Sequence, residues 1–215
     1  MSAPAPDRRF AVLLPVKPPA VAKSRLLELG DRVRRDLVIA FAADTATAAL
    51  ASSYVGAVLA VTDDFELAQG LSELGAHVIP DGAADDLNGT LDQAAAEAGR
   101  RWPELWVAAL CADLPALRSE ELSRALSAAP ADRACFIADT SGVGTTMLIA
   151  PRRELFAPRF GPRSRQAHLD AGAIELNVAD APTLRRDVDT PADLVAAERL
   201  GVGVRTSLVT TGLRL

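Results

Sequence analysis

The chain has 215 residues, 49% of them apolar but only 4% aromatic, with a formal net charge of −5 and two cysteines. That length suits one large domain or a tight pair, with a core mostly of Ala, Val and Leu. The acidic balance argues against a general nucleic-acid binder, and two thiols exclude a small disulfide scaffold.

Residues 1–9 read as a Pro-rich, disordered lead without the apolar stretch of a signal peptide. No apolar run reaches the roughly 18 residues that span a bilayer, so a cytoplasmic protein with no membrane partner is expected. Residues 10–16 (FAVLLPV) form a continuous apolar run, as in a strand buried on both faces of a parallel sheet. A polar, basic segment follows over 17–30. Asp31 opens a long helix with Val33, Leu37, Ala40 and Phe41 on one side, running to about residue 51. Residues 55–61 (VGAVLAV) give a second strand, 66–74 a short helix and 76–79 a third strand. A loop over 80–86 leads to a helix over 87–100 and a fourth strand over 105–110. Ser119 is expected to cap the next helix, with Glu120 and Glu121 in its first turn. This β-α alternation predicts a doubly wound parallel sheet. Strands over 134–138 and 145–149, joined by a turn over 139–144, suggest a hairpin and some antiparallel character. Residues 184–188 read as a last strand. Thr190, Pro191 and Asp193 supply an N-cap, a first helical position and a third for a final helix ending near residue 200. One domain over 10–205 and a tail over 206–215 are expected, and that tail is apolar enough to pack on its own domain or on a neighbour as a homodimer.

The arginine clusters at 32–35, 100–101 and 152–153 are short and broken by acids, and read as solvated helix faces. Cys111 and Cys135 lie in apolar runs and read as buried free thiols. His77 and His168 give little sign of a base partner for a cysteine nucleophile.

Ligands of an open α/β sheet bind beyond the carboxyl ends of its strands. After the first strand come Lys17, Lys23 and Arg25, either a solvent-exposed basic loop or a clamp neutralising a triphosphate. After the fourth comes Asp113, either a turn aspartate or a ligand of a hard cation such as Mg²⁺. Asp187 and Asp189 follow the last predicted strand, where alternation puts both on one side; Asp189 either shapes a turn or joins Asp113 at a metal. The segments GVGTT (142–146) and FGPRSR (160–165) are either ordinary turns or an anion site at a helix start near Ser164. There is no zinc ligand set and no GxSxG elbow.

The markers PVK…AKSRL (15–26), DDLNGTLDQA (85–94), ADLPAL (112–117), GVGTTML (142–148), FGPRSRQAHLDAG (160–172) and DVDTPADLVAAERLGVG (187–203), in this order, resemble the phospholactate and phosphoenolpyruvate guanylyltransferases of coenzyme F-420 biosynthesis. The resemblance implies a three-layer α-β-α nucleotidyltransferase fold, GT-A-like, with a mixed, mostly parallel central sheet. It implies an Mg²⁺-dependent transfer of GMP from GTP to a small phosphorylated three-carbon acid. By the same resemblance Asp113 is the metal aspartate, with Asp187 or Asp189 as its second carboxylate. Lys17, Lys23 and Arg25 fall at the GTP phosphates, and Leu87, Asn88 and Gly89 at the base or ribose. Thr145, Gly161 and Ser164 fall at the phosphorylated acid. One departure is Ala112, where the family usually has Gly. Two other functions compete: a transferase of the same fold acting on a molybdopterin or sugar phosphate, and a catalytically silent nucleotide-binding domain.

Overall fold

A computed structural model describes residues 8–19, 22–83, 86–178, 180–211 and 213. Most of the predicted lead, Asp85 in the DDLNGTLDQA marker and part of the tail lie outside these residues. Strand β1 (Phe10–Pro15) runs through the middle of the sheet. Phe10, Val12 and Leu14 join one apolar cluster, and Ala11 and Leu13 join another. Such two-sided burial is what an unbroken apolar run satisfies and an alternating one does not. With β2 (Val55–Val61), β3 (His77–Ile79), β4 (Trp106–Leu110), β5 (Cys135–Ala138), β6 (Thr145–Ala150) and β7 (Ile174–Glu175), it forms a seven-stranded sheet in the order β3-β2-β1-β4-β6-β5-β7. The pairs β1–β2, β1–β4, β2–β3 and β5–β7 are parallel; β4–β6 and β5–β6 are antiparallel.

Helices cover both faces. On one side α1 (Asp31–Ala51), α2 (Phe65–Glu73) and α4 (Ser119–Ser127) set Ala42, Ala46, Leu67, Leu71, Leu122 and Leu126 against Val12, Leu14 and Val58. On the other, α3 (Leu87–Arg101) sets Leu91, Ala94, Ala95 and Ala98 against Leu13, Leu59 and Val107. The short α5 (Ser164–Asp170) adds Leu169 to that layer. A third cluster, with Leu26, Leu37, Phe41, Val188, Leu194 and Ala197, ties a 3₁₀ segment (Ser24–Leu29) and α6 (Pro191–Leu200) to α1. It brings the segments flanking Lys23 and Asp189 to the same end of the sheet.

The start of α6 follows its sequence signature. Thr190 accepts from the Asp193 N–H, the Asp193 carboxylate accepts from the Thr190 N–H, and Pro191 stands first. Three expectations are corrected, and two elements were not foreseen. Residues 184–188 are not a strand. The Thr183 and Leu184 N–H groups donate to the buried Glu121 carboxylate at 2.8 and 3.1 Å, and the Arg185 carbonyl accepts from Thr140, so no neighbouring strand is engaged. Ser119 is not a cap: it is the first residue of α4, Arg118 stands at the N-cap without a side-chain cap bond, and the Glu121 carboxylate of the first turn is turned to Thr183 and Leu184. The basic segment after β1 contains the 3₁₀ turn rather than a plain loop. A further helix, α7 (Val204–Thr210), follows α6; Asp44 of α1 accepts from the Arg205 and Thr206 N–H groups at 3.1 and 2.8 Å, so it packs on its own domain. The two-residue β7 was not predicted at all.

Candidate active site

Strand order reverses at β1 and β4: from β1 the chain winds outward through β2 and β3, then crosses to β4 on the other side. A crevice opens at the carboxyl ends of two parallel strands at such a switch point. Here it is a cleft of about 460 Å³ lined by Lys17, Lys23, Arg25, Leu87, Cys111, Asp113 and Asp189, among others.

Each charged group is placed by an identifiable device. Lys17 lies two residues past the end of β1. Lys23 sits in the left-handed backbone region (φ 54°), uncommon for a side chain with a Cβ and costing on the order of 1 kcal/mol. That loop is gripped by Arg34 of α1, whose buried guanidinium donates to the Pro19 and Ala22 carbonyls and pairs with Asp31. Asp113 follows β4 and is held on both flanks by Thr45 of α1, which donates to the Ala112 carbonyl and accepts from the Leu114 N–H. The Asp113 carbonyl also accepts from the Val188 N–H at 3.1 Å, which draws Asp187 and Asp189 to it.

The Lys23 ammonium bridges Asp113 Oδ2 and Asp189 Oδ1. Burial alone would lower its pKa, but the charges of Asp113 and Asp189 and their hydrogen bonds prevail and hold it above the ordinary range. Asp187 is pushed up to about 7 by burial, then by the charges of Asp113 and Asp189. Burial, with Asp113 and Asp187, also pushes the Cys111 thiol up, which disfavours the thiolate a nucleophile needs. Burial raises Cys135 to about 12, and both cysteines are free. The second oxygen of Asp113, Oδ1, is buried with no hydrogen-bond partner among the described residues.

A second group of residues stands beside this cleft. Because β6 runs antiparallel to β4, its first residue, Thr145, lies past the end of β4; the Cys111 Sγ is 3.5 Å from the Thr145 carbonyl. The preceding turn folds on Asp139, which accepts from Ser141 and the Val143 N–H. A Cβ at Gly144 would come within 2.6 Å of Asp139 Oδ2, so a side chain there would have to displace the carboxylate on which the turn folds. The Val143 carbonyl accepts from the Arg165 N–H and so docks residues 160–165. In that segment Gly161 has φ 130° and Arg163 φ 56°. Of the three described non-glycine residues with positive φ, two, Lys23 and Arg163, lie in the basic loop and in this segment. Ser164 and Thr145 are buried, and Arg165 pairs with Glu175.

Lys17, Lys23, Arg25, Leu87, Asp113 and Asp189 thus share one cleft, with Asp187 electrostatically coupled to it; Thr145, Gly161 and Ser164 form the adjoining group. Asn88 and Gly89 do not line the cleft. The Asn88 amide both donates to and accepts from the Phe160 backbone, at 3.0 and 2.8 Å, and joins α3 to the 160–165 segment. Gly89 lies in the first turn of α3, where a Cβ would approach Asp86 Oδ2 to 2.8 Å. Sequence reasoning missed Arg34, Thr45 and His168. Arg34, read as a solvated face, shares the stripe of Leu37, Phe41 and Thr45 at helical spacing, and that spacing was the available signal.

Solved structures share this architecture. A putative nucleotide-diphospho-sugar transferase from Desulfovibrio desulfuricans superposes with a TM-score of 0.63 at 17% identity, covering 90% of this chain and 96% of its own. A nucleotidyl transferase from Methanothermobacter thermautotroptrophicus gives 0.59 at 15%, covering 89% and 97%. The fold is therefore that of the α/β nucleotidyltransferases, with a polar cleft at its switch point. Residues 10–206 match the family model described as guanylyl transferase CofC like. The phosphoenolpyruvate guanylyltransferase of Thermomonospora curvata is 48% identical over 198 residues, 92% of this chain and 87% of that protein. Its namesake from Streptomyces scabiei is 47% identical over 204 residues, 93% and 94%. The chain belongs to the CofC-like guanylyl transferase family.

Proposed function

We propose that this protein transfers GMP from GTP to phosphoenolpyruvate, with release of pyrophosphate, in coenzyme F-420 biosynthesis; 2-phospho-L-lactate is the competing acceptor. The observation that carries the reading is the convergence of Asp113 and Asp189 on one cationic cleft, with a buried Asp113 oxygen left unpaired.

Among the described residues no three carboxylate, thiol or imidazole groups are gathered closely enough to hold an ion by themselves. Two aspartates, a partnerless oxygen and room for substrate fit Mg²⁺, which takes one or two carboxylates and completes its shell with phosphate and water. When bound by Asp113 with Asp187 or Asp189, Mg²⁺ neutralises phosphate charge. The chain's own residues do the rest. Lys17, Lys23 and Arg25 hold the triphosphate; Thr145, Gly161 and Ser164 hold the acid. An acceptor phosphate oxygen attacks the α-phosphorus in line, the bond to the bridging β-phosphate oxygen breaks, and pyrophosphate leaves. That phosphate is already an anion at neutral pH, so no enzyme nucleophile is required, and catalysis is positioning and charge neutralisation.

Incubation with GTP, Mg²⁺ and each acid in turn, with the product identified by mass, tests the reading. Release of pyrophosphate only with a sugar phosphate or a molybdopterin would move the protein to another acceptor, and GTP binding without pyrophosphate from any acceptor would make it a silent binding domain. Asp113→Ala should abolish turnover with the circular dichroism unchanged; undiminished activity would refute the metal assignment.

A further inference from the structure

His168 lies fully buried between the two parts of the acceptor group, and the reaction scheme above gives it no role. Its ring stacks on Phe136 and meets Phe160 edge-on, at centroid distances of 5.5 and 5.2 Å. Both ring nitrogens are engaged, and the Ser164 carbonyl, one turn earlier on α5, also acts on the imidazole as a hydrogen-bond acceptor. Nε2 is 3.0 Å from the backbone nitrogen of Arg159, and Nδ1 is 3.0 Å from the Thr145 hydroxyl.

A backbone N–H can only donate, so Nε2 must be the unprotonated acceptor. In a neutral imidazole the proton then resides on Nδ1. The ring is neutral near pH 7: burial pulls its pKa down to about 4, with the Arg159 charge acting the same way and the Ser164 carbonyl opposing. Nδ1–H therefore faces Thr145 Oγ1, with the Ser164 carbonyl as a second acceptor, and a protonated Nδ1 cannot take the Thr145 proton. A hydroxyl that accepts from the imidazole keeps its own proton for another partner.

The geometry points to His168 as a positioning residue that fixes the Thr145 hydroxyl as a hydrogen-bond donor to the anionic acceptor, and through Arg159 anchors the backbone entering Gly161. The inference rests on the reading that Thr145 contacts the phosphorylated acid. It adds a direction: the Thr145 proton faces a negatively charged oxygen, and the rest of the residue's bonding is supplied from behind. With the opposite tautomer Thr145 would have to spend its proton on the ring, leaving the acceptor oxygen facing a lone pair.

The ring proton can be located on the intact protein by long-range ¹H–¹⁵N correlation of labelled histidine. The expected result is a protonated Nδ1 and an unprotonated Nε2; the reverse assignment overturns the inference. Two substitutions separate the ends of the ring. Asparagine places an amide N–H near the Nδ1 position, and glutamine places its amide near Nε2. His168→Gln should raise the acceptor KM roughly tenfold or more, the scale of a lost bond to a charged group, with the GTP KM unchanged. His168→Asn should keep the acceptor KM within about threefold of the parent. Equal effects of the two, or parallel rises in both substrates' KM, would mean a merely structural histidine and would overturn the inference. Thr145→Val is the separate check on the substrate reading: an unchanged acceptor KM there, with the tautomer as expected, sinks the Thr145–acceptor contact and leaves the ring assignment standing.

Discussion

Lys23 occupies the position between Asp113 and Asp189 that a divalent cation would need, and Lys23→Met tests what that means. Two unit charges about 4 Å apart attract by roughly 4 kcal/mol at an effective dielectric of 20. Much of this is offset here. The Asp189 side chain is 49% exposed and largely screened by water, whereas Asp113 is 22% and Lys23 15% exposed, so the ammonium has also given up hydration. A net loss of about 1–3 kcal/mol remains when the ammonium goes and the carboxylates face one another unneutralised. In a domain of this size that lowers Tm by about 3–10 °C in divalent-free buffer. Mg²⁺ should then act differently on the two proteins. In the parent, the ion must displace the ammonium before it engages the carboxylates; in the variant they are already unmet. Since stabilisation grows as RT ln(1 + [L]/Kd), the Mg²⁺-dependent rise in Tm should be larger for Lys23→Met and should begin at lower Mg²⁺. The assay is thermal denaturation of both proteins across a Mg²⁺ titration with nucleotide absent. An equal or smaller Mg²⁺ response in the variant, or no loss of stability without the ion, would show that lysine and metal do not compete for the same carboxylates.

Three other perturbations have defined outcomes. Because burial lowers His168 from 6.5 to about 4, its neutral form stabilises the fold fully above pH 6.5, and that contribution is lost as pH falls toward 4; at pH 5 the loss is about 2 kcal/mol. Urea midpoints at pH 5 and 7 should therefore differ more for the parent than for His168→Asn, and identical differences would refute the shift. Gly203→Ala would bring a Cβ to 2.3 Å from Asp44 Cγ, displacing the carboxylate that receives the first N–H groups of α7; a stability loss of about 1–3 kcal/mol is expected by chemical denaturation, and a neutral result would mean α7 is not held there. Arg34→Met frees the Pro19 and Ala22 carbonyls and loosens the loop carrying Lys23; the GTP KM should rise severalfold with the acceptor KM unchanged, and steady-state kinetics showing the reverse would place that loop at the acid.

What could be read in the sequence was what short-range chemistry encodes. The apolar runs of β1, β2 and β4 have one satisfactory environment, a sheet covered on both sides, and the charges shortly after β1 and β4 are carried to the switch point by the strands themselves. The α6 signature is complete within four residues. The failures are non-local. Residues 184–188 look like a strand, but the Thr183 and Leu184 N–H groups at their start are taken by the Glu121 carboxylate, 62 and 63 residues away along the chain. The β-branched sequence of α7 is a poor helix former in isolation, and its first N–H groups are satisfied by Asp44, more than 160 positions earlier.

The site divides along the same line. Asp113, Lys17 and Asp189 were visible because they follow predicted elements, while the residues that aim them were hidden inside α1. Arg34 and Thr45 lie on the same stripe as Leu37 and Phe41, so the helix turns a guanidinium and a hydroxyl toward the protein interior. Burying a guanidinium is costly unless acceptors are waiting for it, and those it finds are the carbonyls of the loop that presents Lys23. The Thr45 hydroxyl, likewise buried, is spent on both sides of Asp113. A polar residue on the apolar stripe of the helix leaving the central strand therefore belongs to the machinery of the neighbouring strand ends: α1 spends core positions to fix the lysine and the aspartate that pair in the cleft.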